Sequence, residues 1–476
     1  MIDPLLQIGV IAFNYRFGVN CERDEKKAEE NNILGCSKGS KLGLGMKYLF
    51  GWKTEINKEK AFRYFKENVE EIEKKGEGEE ENKEELKCLI FLLGRCCQYG
   101  DGTEKDIKEA IEYYEKGVGL GEFCSVNNLA NILQDGDERA GVKKDIHRAI
   151  KLYEKAAEMG DEMAIYNLGL IYRNGDEESG IKKDVKKTIE LYEKAAKMGD
   201  TSAINNLAVI YQEGDEEGGI KKDILKAIEL YETAIKKDHK NATCNLALIY
   251  QYGDKEGGIK KDLQKAIKLY EKGVELGYPP SLYYLALIYQ HGDEEGRVKK
   301  NLHKAIEYFE KAVLLKESNS MNNLAIIYQF GDEEEGVQKN VLRAIELYEK
   351  AIEFGESYSL FNLALIYEFG NKEEKIDIDI NRACSLFFQR ILIDEDEKSK
   401  NRFEDLILKH QNQVVWRKDY HLYWKTKENK TSFNQKIILL LLISKHKKDL
   451  KNKNLNFVFV RGITIEIIKY FCHFSS

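Results

Sequence analysis

The chain has 476 residues, of which 33% are charged and 42% hydrophobic, a composition that suits a soluble helical protein. This length exceeds what one globular core supports, whereas a repeat array lengthens its core along one axis. The net charge of −7 is uneven: residues 401–476 hold 15 Lys+Arg against 6 Asp+Glu, so the first 400 residues carry −16. Phosphates would be repelled by this acidic part, which disfavours nucleic-acid binding there.

The two ends of the chain and its cysteines bear on the cellular compartment. The N-terminal segment lacks the basic start and small-residue cleavage site of a signal peptide. The longest apolar run, residues 437–443, is far shorter than the ~20 residues that a membrane span needs. Nine scattered cysteines without a CxxC pair indicate reduced core thiols. We therefore expect a cytoplasmic, or alternatively nuclear, protein with no membrane span.

Residues 1–73 contain two degenerate copies of a helical unit that recurs later in the chain. In the first copy the glycine that ends one helix is Gly18 and the residue that caps the next is Asp24. In the second copy these positions are Gly51 and Asn57. The acidic stretch that follows, residues 74–85, is expected to be a solvated insertion between helices.

The clearest copy of the unit runs from Asp223 to Asp254 and predicts two helices. The Asp223 carboxylate can cap the first turn of the first helix, which contributes about 1 kcal/mol. Apolar residues then recur at three- and four-residue steps, which is one face of a helix. Residues 236–240 break this pattern, and the second helix ends at Gly253, where a left-handed conformation is predicted.

An Asn-Leu pair in the second helix recurs with a constant spacing of 39 residues. A fixed period of this size indicates helical hairpins that bury their apolar faces on their neighbours. Ten terminating glycines predict about ten hairpins, with six residues from glycine to cap in the first three and nine in the later seven. The pair begins at Asn128, Asn167, Asn206, Asn245, Asn323 and Asn362, and Tyr284-Leu285 fills the remaining position.

The unit resembles the Sel1-like repeat, a relative of the tetratricopeptide repeat. The resemblance covers about residues 8–395 and is highly specific in the middle. The regular array is expected over residues 86–397. It implies an all-α, right-handed superhelical solenoid that serves as an adaptor or scaffold. The lengthened loops depart from the usual unit, so no loop feature is carried over from the family. The matching residues are Leu168-Gly169, Tyr172, Gly175, Asp184, Tyr192, Lys194-Ala195-Ala196 and Gly199.

Residues 398–476 lack the repeat and form a basic, aromatic segment. We expect a small, mainly helical module that docks on the last repeat or on a partner, since its charge is opposite to that of the array. Trp416, His421 and Trp424 could form an aromatic-imidazole patch for a partner. An F-box-like role that recruits a ubiquitin ligase is one interpretation, and a plain hydrophobic mini-core is the favoured one.

The repeated asparagines are the main candidate site. An amide offers a donor and an acceptor together, so a row of them could clamp an extended peptide backbone. The competing and favoured interpretation is hydrogen bonding between neighbouring repeats. The tyrosines that recur with the same period, such as Tyr231, are expected to pack between hairpins rather than to contact a ligand.

The loops and the remaining titratable residues give little support for chemistry. The long loops alternate an acidic cluster with a Lys pair, as in Asp215, Glu216 and Glu217 followed by Lys221 and Lys222. Mutual neutralisation is favoured for them over a docking ridge for a charged partner. No loop matches a calcium-binding pattern, and no zinc, nucleophile-elbow or phosphate-loop motif is present. We therefore expect no enzyme activity, no cofactor and no metal site.

The sequence as a whole predicts a scaffold or adaptor that binds protein partners on a surface lined by repeated side chains. A substrate adaptor for ubiquitin-dependent degradation is the first alternative. A regulatory or enzymatic subunit with its activity in residues 398–476 is the second.

Overall fold

The computed structural model describes residues 4–17, 23–37, 40–75, 80–293, 298–394 and 396–410. Within these ranges all the regular elements are α-helices, 21 in number, and β-structure is limited to isolated bridges in loops. The all-α prediction is therefore confirmed.

The first eleven helices begin in the degenerate copies and continue into the regular array. They are α1 (Pro4–Phe17), α2 (Glu25–Ser37), α3 (Lys41–Phe50), α4 (Lys58–Lys75), α5 (Glu80–Tyr99), α6 (Ile107–Leu120), α7 (Phe123–Asp135), α8 (Ile146–Glu158), α9 (Glu162–Asn174), α10 (Val185–Met198) and α11 (Thr201–Glu213).

The remaining helices continue the array to the end of the described residues. They are α12 (Ile224–Lys236), α13 (Lys240–Tyr252), α14 (Leu263–Glu275), α15 (Pro279–His291), α16 (Leu302–Leu314), α17 (Ser318–Phe330), α18 (Val341–Glu353), α19 (Tyr358–Phe369), α20 (Ile380–Asp394) and α21 (Glu397–Lys409).

The helices follow one another as ten hairpins, α1/α2 to α19/α20, with α21 after the last. This agrees with the number predicted from the loop glycines. In each hairpin we call the first helix the A helix and the second the B helix. The chain divides into two compact units, the first of residues 1–246 with 254–260, and the second of residues 247–253 with 261–476.

The predicted N-caps are present at the start of all ten B helices. In each case a side-chain oxygen accepts the backbone N–H of the residue three positions later, at 2.8–3.0 Å. These bonds satisfy N–H groups that the helix itself leaves unpaired. The capping residues are Asp24, Asn57, Asp106, Asp145, Asp184, Asp223, Asp262, Asn301, Asn340 and Asp379.

The glycines that end the A helices differ from the predicted conformation in the long loops. Gly51 in a short loop has φ 73° and ψ 22°, the left-handed helical conformation. Gly214 in a long loop has φ 72° and ψ 178°, so only its φ fits that prediction, and Gly253 likewise has φ 70°. A Cβ at Gly214 would lie 2.9 Å from the backbone nitrogen of Lys222. The longer loop turns back on the helix end, and glycine is the residue that this extended, positive-φ geometry allows.

The predicted acidic insertion, residues 74–85, is largely helical at its edges. Residues 74–75 end α4 and residues 80–85 begin α5. Glu85 is buried, and its carboxylate accepts a hydrogen bond from the Asn68 side-chain amide at 2.9 Å.

Helix α21 crosses the predicted boundary between the array and the C-terminal module. Its residues Phe403, Leu406 and Ile407 are buried in one hydrophobic cluster with Phe388 and Ile391 of α20. The first helix of the predicted module therefore covers the last hairpin.

Candidate functional site

The six predicted asparagines lie half-buried on six of the A helices, and their amides bond to neighbouring helices. In five of them the amide nitrogen donates to a residue 40 positions earlier, on the A helix of the preceding hairpin. The acceptors and distances are Asn127 at 3.4 Å for Asn167, Tyr166 at 3.0 Å for Asn206, Asn205 at 3.1 Å for Asn245, Tyr283 at 3.4 Å for Asn323 and Asn322 at 3.0 Å for Asn362.

Asn128 differs from the other five because its amide bonds to the B helix of the preceding hairpin, α6, and not to the A helix. Its amide nitrogen donates to the Tyr114 hydroxyl at 3.1 Å. Since an amide nitrogen already used between repeats is less available to a peptide, this geometry favours the inter-repeat interpretation over the clamp.

The periodic tyrosines are fully buried on the B helices, as the packing interpretation predicts. The Tyr231 and Tyr270 hydroxyls donate to Gln212 and Gln251 on the A helix of the same hairpin, each at 2.7 Å. The ring approaches the A-helix backbone closely, since a Cβ at Gly169 would lie 2.4 Å from the Tyr192 ring. Burial and these bonds assign the tyrosines to the core and not to a ligand site.

The tyrosine–glutamine pairing is broken in hairpin α15/α16. In hairpin α15/α16 the position of the tyrosine is taken by Phe309, which is fully buried. The glutamine opposite, Gln290, keeps a buried Oε1 atom that finds no hydrogen-bond partner in the described part of the chain.

The long loops are joined by a row of ion pairs between neighbouring repeats. The second lysine of each Lys pair reaches the first aspartate of the next loop, 32 residues later, as in Lys261–Asp293 at 3.1 Å and Lys300–Asp332 at 2.7 Å. The same pairing occurs in Lys144–Asp176, Lys183–Asp215 and Lys222–Asp254.

The aspartates of these pairs are also built into their own turns. Asp176 accepts the backbone N–H of Ser179 at 2.8 Å. The hydrogen bond from Lys144, followed by those from Ser179, lowers the Asp176 pKa to about 2. The geometry thus supports mutual neutralisation within the loop edge, the favoured interpretation of the sequence.

A row of exposed side chains at the ends of the A helices was missed by the sequence analysis. In the second unit the last residue of four successive A helices is aromatic, and three of these rings are 61–70% exposed. We call this row the aromatic ladder; its members are Tyr252, His291, Phe330 and Phe369.

The aromatic ladder lies on the same helix stripe as the asparagines. Phe330 and Phe369 follow Asn323 and Asn362 by seven residues, about two helical turns. In the first unit the same register position holds Phe17, Phe50 and Tyr99 in the first three A helices and polar residues in the next three: Asp135, Asn174 and Glu213. The 39-residue register could have revealed this change, had the varying positions been compared as well as the constant ones.

The other predicted partner-binding residues, Trp416, His421 and Trp424, lie outside the described residues. Within residues 4–410, as far as described, no group of three or more His, Cys, Asp or Glu side chains could hold a metal ion. Burial raises the pKa of both the Cys96 and Cys97 thiols to about 12, which disfavours a nucleophilic thiolate. None of the described helices combines the length and apolarity needed to cross a membrane.

Comparison with known proteins identifies the repeat. The Sel1 repeat family matches nine segments that together cover more than half of the chain. The chain belongs to the Sel1 repeat family. The matched Sel1 segments are residues 40–67, 90–121, 125–161, 162–200, 201–239, 240–278, 279–316, 318–353 and 357–389, so the first hairpin lies outside them.

Two bacterial proteins are among the solved structures that are similar to this Sel1 repeat chain. A protective antigen of uropathogenic Escherichia coli with an SLR fold is 23% identical, covers 95% of this chain and 88% of its own, and has a TM-score of 0.48. A Sel1 repeat protein from Oxalobacter formigenes is 25% identical, covers 56% of this chain and 95% of its own, and has a TM-score of 0.43. No curated protein sequence matches the chain.

Proposed function

We propose that this Sel1 repeat protein is a non-catalytic scaffold that binds protein partners on its A-helix surface. The observation that carries the proposal is the aromatic ladder of the second unit. Large aromatic side chains left in water at one register position of successive repeats form a surface that a partner can cover. Aromatic residues, phenylalanine included, are also enriched at the buried centre of protein interfaces.

The size of the ladder is sufficient for specific binding. Phe330 and Phe369 are 70% and 61% exposed, and Tyr252 is 69% exposed. Full burial of one such side chain contributes about 2 kcal/mol. Several rings covered together supply several times that value, from which the cost of ordering the partner is subtracted.

The asparagines support this surface indirectly in our proposal. Asn323 and Asn362 bond each A helix to the preceding one, which fixes the spacing of Phe330 and Phe369. A surface held in place before binding loses less conformational freedom when the partner arrives.

The proposal is tested by comparing capture of proteins from an extract of the source organism. The double variant Phe330→Ser/Phe369→Ser should lose partner capture while its helix content and melting temperature stay unchanged, because both rings are mostly exposed. Tyr99→Ser is the matched control, since Tyr99 is also the last residue of an A helix and 62% exposed, but in the first unit. Equal capture by the double variant and the parent would refute the proposed surface.

A further inference from the structure

Phe369, the last residue of the aromatic ladder, is contacted by α21, the helix that follows the last hairpin. The guanidinium of Arg402 on α21 lies 5.2 Å from the centroid of the Phe369 ring, within cation–π distance. The same guanidinium binds the Glu368 carboxylate at 2.8 Å. Helix α21 therefore runs beside the end of the ladder, and the described chain stops at His410, eight residues after Arg402.

The charges of the two adjoining segments are opposite. Residues 331–410 hold 11 Lys+Arg against 19 Asp+Glu, a net charge of −8, and they include the loops after Phe330 and Phe369. Residues 411–476 hold 13 Lys+Arg against 4 Asp+Glu, a net charge of +9. A segment tethered beside a surface of opposite charge is held there at high local concentration, since no second molecule has to be found.

The composition of residues 411–476 also matches the apolar part of the surface. This segment contains ten aromatic residues, two of them tryptophan, and so can supply rings to cover exposed rings. Its 66 residues reach about 200 Å when extended, far more than a few helix widths of ~10 Å. The segment is therefore long enough to reach every residue of the aromatic ladder.

We propose that residues 411–476 of the same chain occupy the aromatic ladder of the second unit, so that a partner must displace them in order to bind. This inference rests on the proposed function, because it names the competitor for the same surface. The basic side chains meet the acidic residues 331–410, and the aromatic side chains cover Phe330 and Phe369. The scaffold is therefore self-covered until a partner with stronger contacts arrives.

The test uses the purified full-length chain with Phe330 replaced by the photo-cross-linker p-benzoylphenylalanine. The replacement keeps an aromatic ring at a 70% exposed position, so it should preserve the fold. Equal amounts of isotopically light and heavy chains are mixed before irradiation, and the linked peptides are identified by mass spectrometry. The matched control carries the same cross-linker at Tyr99, the equivalent exposed position in the first unit.

We expect cross-links from position 330 to peptides of residues 411–476 within chains of one isotope, several-fold above the yield from position 99. We also expect the yield to fall several-fold in about 1 M salt, where exposed charges are screened within about 3 Å. Absence of linked peptides from residues 411–476, equal yields at both positions, or a yield insensitive to salt would overturn the proposal. Mixed light–heavy links in the statistical proportion would show a second copy as the occupant instead.

A second readout uses the tryptophans of the same segment. In a Trp52→Phe background the remaining tryptophans are Trp416 and Trp424. Phe330→Ser/Phe369→Ser should increase their quenching by acrylamide, and unchanged quenching would contradict the proposal. Because the purified chain contains no other protein, these results judge the self-contact alone, whereas capture from the extract judges partner binding.

Discussion

The unpaired glutamine of hairpin α15/α16 predicts a stabilising substitution, Phe309→Tyr. The added hydroxyl should donate to the buried Gln290 Oε1 atom, which has no partner among the described residues. Sister hairpins show that the geometry accommodates it, since the Tyr270 and Tyr348 hydroxyls bond their glutamines at 2.7 Å with fully buried rings.

The magnitude follows from the two states of the glutamine oxygen. A buried acceptor left unpaired costs about 1–3 kcal/mol, and a typical new hydrogen bond contributes about 1 kcal/mol net. We therefore expect Phe309→Tyr to raise the free energy of unfolding by about 1 kcal/mol. The reverse substitution, Tyr348→Phe, should lower it by a similar amount, because it leaves Gln329 without its donor.

The assay should be local, because a repeat array does not necessarily unfold in one step. Amide hydrogen exchange in α15 and α16 should slow about five-fold in Phe309→Tyr, the equivalent of 1 kcal/mol. A Gln290→Leu background supplies the control, since the hydroxyl then has no acceptor there. Unchanged or faster exchange in Phe309→Tyr, or an equal gain in the Gln290→Leu background, would refute the reasoning.

Three further predictions concern the loops and the asparagines. Gly214→Ala should destabilise by about 1–3 kcal/mol because of its φ of 72° and a Cβ clash, whereas Gly119→Ala, in a helix with open space around it, should stabilise by about 0.5–1 kcal/mol; urea unfolding distinguishes them. Asp176 has a folded pKa of about 2, below its unfolded value, so its contribution to stability is present at neutral pH and is lost as pH falls through that range. Lys144→Met removes the hydrogen bond that lowers the Asp176 pKa most. Acid unfolding, followed by circular dichroism, should then begin at higher pH, and an unchanged midpoint would contradict this. Asn245→Ala should lower the melting temperature without changing partner capture. Lost capture at an unchanged melting temperature would instead favour the interpretation that the asparagines clamp a peptide.

The hairpins and their caps could be predicted because they depend on local chemistry that every repeat must share. Asp223 and Asn301 occupy the same register position and cap in the same way, since an oxygen acceptor at the helix start is needed in each copy. The tyrosine core followed from the same periodicity. These features are fixed within one hairpin, so the order of residues along the chain is enough to locate them.

The candidate site was harder to predict, because it depends on contacts between repeats and on positions that change. That Lys300 reaches Asp332 requires knowing how one loop lies beside the next. Phe330 and Phe369 stand at a register position that is polar in three other repeats, so a search for constant residues passes over them. The ψ of Gly214 near 180° likewise depends on the return path of the longer loop, which its composition does not reveal.

The loop ion pairs connect neighbouring repeats through the same two residue types in successive copies. Each lysine contacts the aspartate of the adjacent loop, and the lysine and aspartate are the same in consecutive copies of the first unit. If one 39-residue period were deleted between Lys183 and Asp254, that lysine would face an aspartate equivalent to its present partner, Asp215. The first unit can therefore gain or lose whole repeats with these ion pairs intact, which offers a simple route by which the length of the array can change in evolution.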